Sequence, residues 1–242
     1  MKKLIFMFLF CSIAIFGQQK NADKLLQNVI QKFDKVNDYQ ADLSLKVDIT
    51  FAKIPDMKAT IYFKRPDKVH IESKGFALLP KQSVNFSPSE LLKGDHTALY
   101  VKSEMLDGHN TDVIKIIPSN DSSDVILSTL WIDESESLIR KVVTNGKNTG
   151  TTTINLAYDN TKYSLPSKIV FSFNLGNVEM PEQMQQQQMP QQNQAQSNNR
   201  RNRLQSITGT VTVIYSNYKI NKGIPDSIFE EKNNSGKSLH VD

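Results

Sequence analysis

Cysteine is nearly absent: one residue, Cys11, in 242. It lies inside a 13-residue run, Leu4 to Phe16, apolar except for Ser12, that follows Lys2-Lys3 and gives way at Gly17 to Gln18-Gln19-Lys20. That order is the pattern of an exported leader, and the run is too short to cross a bilayer comfortably. Residues 1–17 are therefore expected to be a signal peptide. Phe10 stands where lipidation of a cysteine wants a small residue, and the run continues past Cys11, so Cys11 reads as part of the leader's apolar core. With the leader gone no thiol remains. Disulfides, thiolate catalysis and Cys-ligated zinc or iron–sulfur centres are then excluded.

Other chemistry is missing too. The four histidines, His70, His96, His109 and His240, are scattered, with no HxH or HExxH among them, so none is read as a metal ligand. There is no GxSxG nucleophile turn and no glycine-rich phosphate loop. No catalytic residue, metal or cofactor is assigned. A strong excess of one charge is also lacking. Lys2 and Lys3 leave with the leader, so 27 basic residues face 25 acidic ones. A surplus of two is no nucleic-acid footprint.

What is present is periodicity. Leu25, Leu26, Val29, Ile30, Phe33 and Val36 form one stripe of an amphipathic helix within Asn21 to Val36. The period then changes to two. Tyr39, Ala41, Leu43, Leu45, Val47, Ile49 and Phe51 alternate with polar residues, which predicts a long strand with one dry face. Met57, Ala59, Ile61 and Phe63 repeat the alternation, and Val69 with Ile71 continue it after Pro66. Ser87-Pro88-Ser89-Glu90 reads as a capping box opening a helix of about two turns that Gly94 stops. Further strands are expected at His96 to Glu104, Thr111 to Ile117, Ser128 to Asp133, Leu138 to Val143, Thr152 to Tyr158, Ser167 to Phe173 and Ser206 to Tyr218. Turns at Asp107-Gly108, Ser119-Asn120-Asp121, Asp133 to Glu136, Asn145-Gly146 and Asp159-Asn160 separate them.

Residues 180–203 hold nine Gln in 24 residues and cannot bury enough surface to offset the entropy of ordering. They are expected to form a disordered insertion at the end of a hairpin. The rest of residues 18–242 reads as a single α+β domain: about ten antiparallel strands in a sheet large enough to curl, with helices to cover one face.

Two features bear on function. Apolar residues on alternate strand positions either fill an ordinary core or line a cavity, and both readings stay open. Arg65 shares strand parity with Ile61 and Phe63, so its guanidinium would meet the apolar side and need carbonyl partners at a helix end or covering loop. Alternatively Pro66 turns the chain and Arg65 reaches water. The acidic group Asp133, Glu134 and Glu136 is expected to be a solvated turn.

The leader, the first helix Leu25 to Val36, the segment Asp38-Tyr39-Gln40-Ala41-Asp42 and above all Ile61-Tyr62-Phe63-Lys64-Arg65-Pro66-Asp67-Lys68-Val69 resemble the periplasmic outer-membrane lipoprotein carrier (LolA) family and its wider LolA/LolB/RseB-like superfamily. Leu130-Trp131-Ile132-Asp133, Leu138-Ile139-Arg140-Lys141 and Ile224-Pro225-Asp226-Ser227-Ile228-Phe229 extend the likeness. The resemblance implies an incomplete (half) β-barrel whose concave face is covered by an N-terminal helix and short helices. It implies a monomeric periplasmic carrier that takes lipoprotein acyl chains, or related lipids, from an inner-membrane lipoprotein-releasing ABC transporter to an outer-membrane acceptor. Arg65 matches the residue that contacts the helical lid in that family and is expected to be its latch. The expected cavity is lined by Leu43, Leu45, Val47, Ile49, Met57, Ile61, Phe63, Val69 and Ile71. The Gln-rich insertion, the stretch Gly75 to His96 and the sparse aromatics depart from the family. An RseB-like envelope-stress regulator that binds lipoproteins and a partner protein, or a structural β domain that binds nothing, are the alternatives.

Overall fold

A computed structural model of the protein describes residues 20–49, 52–73, 87–92, 94–120, 122–178 and 205–230. The expected leader and the Gln-rich segment 180–203 lie outside the described residues. The first element is α1, Ala22–Phe33. Asn21 caps it, its side chain accepting from the Lys24 N–H at 3.0 Å. The helix ends three residues before the apolar stripe does. Val36 stays buried, but in the turn that follows, because the chain must reverse before its first strand.

That strand is β1, Asp38–Ile49, and the others are β2 (Ala52–Lys53), β3 (Met57–Lys64), β4 (Lys68–Glu72), β5 (His96–Leu106), β6 (His109–Pro118), β7 (Val125–Asp133), β8 (Leu138–Gly146), β9 (Thr151–Ala157), β10 (Lys168–Val178) and β11 (Gln205–Ile220). Neighbours pair antiparallel in the order β4-β3-β1-β11-β10-β9-β8-β7-β6-β5, with the two-residue β2 beside β1. β4 and β5 are the edges, so the sheet curves without closing and forms a half-barrel. Only the pairing of β1 with β11 departs from a chain-order meander, and it brings Leu45 opposite Val213.

The short α2 is Pro88–Leu91, with proline first as the capping pattern predicts, but it makes one turn rather than two. The turn expected at Asn145-Gly146 comes later, because β8 runs through Gly146 and reversal occurs at residues 147–150.

Strand parity sets the core. On β1, Tyr39, Ala41, Leu43, Leu45 and Val47 are buried, and Asp42, Ser44, Lys46 and Asp48 are exposed. The inward residues of β1, β3, β6 to β11 and α1 form a single apolar cluster on the concave side, where α1 lies against α2 and β5. Among the described residues no helix is long and apolar enough to cross a membrane.

Candidate functional site

The register brings the nine expected lining residues onto one face. Leu45 pairs with Met57 across β1 and β3, Ile61 with Ile71 across β3 and β4, and Phe63 with Val69 beside them. Leu43, Leu45, Val47, Ile61 and Phe63 are buried, and Ile49, Met57, Val69 and Ile71 are half-buried. The same face continues through Val211, Val213 and Tyr215 of β11, Ile169 of β10 and Leu130 and Ile132 of β7. Those residues were missing from the expected lining, although the alternation of Val211, Val213 and Tyr215 in the sequence marks their face.

The face is graded along its length. Near the end of α1, Phe33 lies 5.8 Å from the Phe63 ring, Tyr39 stacks on Phe63 at 5.2 Å, and Tyr218 meets Tyr39 edge-on at 5.6 Å. Such offset and edge contacts are the favourable aromatic geometries. Burial pushes the Tyr39 phenol well above its ordinary range, so it stays neutral. At the other end, Ile49, Met57, Phe171 and Phe173 are only half-buried, and Val69 and Ile71 are half-buried because β4 is an edge strand. Gly209 makes room there for the Phe173 ring, since a Cβ at this position would sit 2.4 Å from it.

α1 covers this face with Leu26, Val29 and Phe33, and the turn after it adds Val36. Three polar fastenings tie the helix region to the sheet. Arg65 lies just past β3, in the turn, with its side chain 39% exposed rather than sunk in the apolar side. Its Nη1 donates to the Asp34 carbonyl at 2.6 Å and its Nη2 pairs with Asp34 Oδ1 at 3.0 Å, at the C-terminal cap of α1. Arg65 thus combines both expectations: it reaches a helix-end carbonyl from a position open to water. Lys32 Nζ binds the Glu136 carbonyl and carboxylate. Lys20 Nζ donates to Asp112 Oδ1 at 2.9 Å and to Glu134 Oε1 at 2.6 Å. The bond to Glu134, with the neighbouring Asp112, holds the Lys20 ammonium above the ordinary lysine range against the opposing effect of burial.

The acidic turn is therefore not simply solvated. Asp133 is 1% exposed. Its Oδ1 accepts from the Ser135 and Glu136 N–H groups at 3.0 and 3.1 Å, and its Oδ2 from Arg140 Nη2 at 2.8 Å. Held this way, the turn presents Glu134 to Lys20 and Glu136 to Lys32. The sequence shows the acidic residues but not this use, because the partners sit on α1 and beyond the hairpin.

Two open clefts lie at the margins of the domain, the first reaching Val69 of the apolar face. One, of about 220 Å³, is bounded by Lys68, Val69, Asp226, Phe229 and Glu230. The other, of about 280 Å³, lies between α1 and the turn 134–137, at Asn28, Lys32, Lys35 and Glu136. Among the described residues no group of His, Cys, Asp and Glu could hold a metal ion.

The architecture defines a class: an open antiparallel half-barrel with a helix laid on its concave side. Compared by sequence, no protein family and no curated protein matches the chain. Compared by structure, it is similar to a DUF1329 family protein from Desulfovibrio piger, with a TM-score of 0.54, 10% identity, and coverage of 87% of this chain and 97% of the other. It is similar as well to a candidate outer membrane lipoprotein-sorting protein domain from Vibrio parahaemolyticus, with a TM-score of 0.50, 12% identity, and coverage of 86% and 97%. At these identities the likeness is one of fold.

Proposed function

We propose that this protein is a periplasmic carrier, exported by its leader, that shelters the acyl chains of lipoproteins or related lipids and moves them from the inner to the outer membrane. It does no chemistry on them. The chains lie against Leu43, Leu45, Val47, Ile49, Met57, Ile61, Phe63, Val69 and Ile71 when α1 is displaced, and Arg65, expected as the latch of that cover, fastens its C-terminal end. A releasing ABC transporter and an outer-membrane acceptor stand at the two ends of the route. The sequence resemblance to the LolA superfamily and the fold shared with a candidate lipoprotein-sorting domain support this reading.

The observation that carries it is the mismatch between face and cover: one 12-residue helix lies over an apolar face drawn from most of the sheet. Burying Leu26, Val29 and Phe33 stabilises the covered state by roughly 5–9 kcal/mol at about 1.5–3 kcal/mol per side chain. An acyl chain of about sixteen carbons, at about 0.8 kcal/mol per methylene, gains roughly 12 kcal/mol in the same place. The two are comparable, so helix and chain can exchange without either state trapping the protein.

The test is native mass spectrometry of the protein purified from its own cells without detergent, followed by titration with a fluorescent fatty acid. Co-purifying lipid and saturable binding are expected. An apolar-free spectrum with no binding would sink the carrier reading. One observation favours a second reading, a structural domain with a filled core: α1 packs directly on the face. The same titration separates the two.

A further inference from the structure

The fastenings of α1 sit at places that differ in freedom. At its C-terminal end only residues 34–37 separate the helix from β1. Asn221 closes this corner, its Oδ1 accepting from the Asn37 N–H at 2.7 Å and its Nδ2 donating to the Lys35 carbonyl at 2.8 Å. Asp38, the first residue of β1, is itself held by the N–H groups of Lys222 and Gly223 at 3.0 and 3.1 Å. Arg65 therefore binds an end that the chain already keeps beside the sheet.

The N-terminal end is held differently. The buried apolar side chains of the helix run from Phe33 through Val29 and Leu26 to Ala22, so the helix begins on its smallest buried side chain. Lys20 reaches across to Asp112, 92 positions away on β6, and to Glu134 in the turn after β7. Asp112 is fully buried and also accepts from Ser103 Oγ at 2.7 Å, and Ser103 Oγ lies 2.9 Å from Tyr100 Oη. Unlike Asp38, which backbone N–H groups hold, Asp112 without Lys20 keeps only the Ser103 hydroxyl, and stripping a buried carboxylate of its cation is costly. Helix closure and the Lys20 pair are then one event: either the ammonium covers Asp112 or water must reach it.

We propose that Lys20 and Asp112 form the clasp of α1 at its moving end, while the corner of Asp34, Arg65 and Asn221 is the hinge. The proposal rests on the reading of α1 as a displaceable cover. Lys20 is accordingly a positioning residue for ligand entry, and the cover opens from the side of β5 and β6 rather than beside β3.

Hydrogen exchange of the leader-free protein, read by mass spectrometry without ligand, tests this. Lys20→Met strands Asp112 and is expected to speed exchange of the Leu25–Asn28 amides about tenfold, with less effect at Ile30–Phe33 and none in β6. Lys20→Arg should keep the slow rate. Asp112→Asn added to Lys20→Met should restore much of it, because no buried charge then needs hydration. Unchanged exchange in Lys20→Met, equal loosening of helix and β6, or no recovery in the double variant would overturn the clasp. If the exchange pattern holds but no fluorescent fatty acid binds, the carrier reading fails and the clasp stands.

Discussion

The Arg65–Asp34 pair leaves its two side chains 39% and 40% exposed, so water screens its attraction and a contribution of about 0–1 kcal/mol is expected. Its value is geometric, since it fixes the end of α1 relative to the turn after β3. Arg65→Leu should therefore lower the unfolding free energy read from urea titration by no more than about 1 kcal/mol, yet change the rate at which bound lipid passes to acceptor vesicles. Transfer at the wild-type rate would remove Arg65 from the mechanism. Asp133 is the opposite case. Burial works against its ionisation, but the bonds from Ser135, Arg140 and the Glu136 N–H outweigh that effect and hold the carboxyl down at about 2, against an ordinary value of 3.8. A depressed carboxylate stabilises the fold above its unfolded value and stops doing so as pH falls through its folded one. Wild-type stability should thus drop between about pH 4 and pH 2, whereas Asp133→Asn, weaker by on the order of 2 kcal/mol at pH 7, should lose its difference from wild type near pH 2. Acid titration of the unfolding free energy checks this, and parallel curves for the two proteins would exclude the assignment. Nothing in the local sequence separates Asp133 from Glu134. What distinguishes them is hairpin register, including the irregularity between Trp131 and Ile132, which turns one carboxylate toward Arg140 and the other toward Lys20.

β1 was readable residue by residue because a period of two and one-sided burial reinforce each other over its 12 residues. α1 was readable as a helix, but its end was not, since Val36 continues the stripe from a non-helical position. Burial fixes where an apolar side chain points, not which backbone carries it there. The same limit explains the nine lining residues. Their common face follows from parity, whereas the packing of α1 on that face depends on a turn whose path no periodicity encodes. If α1 is a separately opening element, its amides should exchange through a local event that urea accelerates little, and the core amides of β10 and β11 only through global unfolding. Phe33→Ala removes about 3–5 kcal/mol of docking contacts and should speed exchange in α1 by about a hundredfold or to its limit. Ile169→Ala, costing about 2–5 kcal/mol in the middle of the sheet, should speed the sheet and leave the α1 opening rate as it was. Equal acceleration of both elements in both variants would show that helix and sheet unfold together.

At the scale of the molecule, turn chemistry predicts the run of hairpins from β5 to β11, because each neighbour is the next element along the chain. The join between β1 and β11 has no such local signal, and it decides the architecture. It places the first strand between the last strand and β3, leaves β4 and β5 as unjoined edges, and so makes the sheet an open half-barrel. Resemblance supplied the open half-barrel, and neither it nor periodicity supplied the β1–β11 join. The join also bears on the Gln-rich segment. β10 and β11 stay paired up to Val178 opposite Gln205, immediately on either side of residues 179–204. The segment therefore leaves and re-enters the sheet at adjacent positions, and the closure entropy of a connection grows by only about 0.6 kcal/mol per doubling of its length. Replacing residues 180–203 by Asn-Gly should give a hairpin of unchanged register, with an unfolding free energy equal to wild type or higher by about 1–2 kcal/mol. Denaturant titration of the two proteins measures the difference. A loss of several kcal/mol would mean that the replaced residues contribute packing to the domain, and that the end of the β10–β11 hairpin is not complete without them.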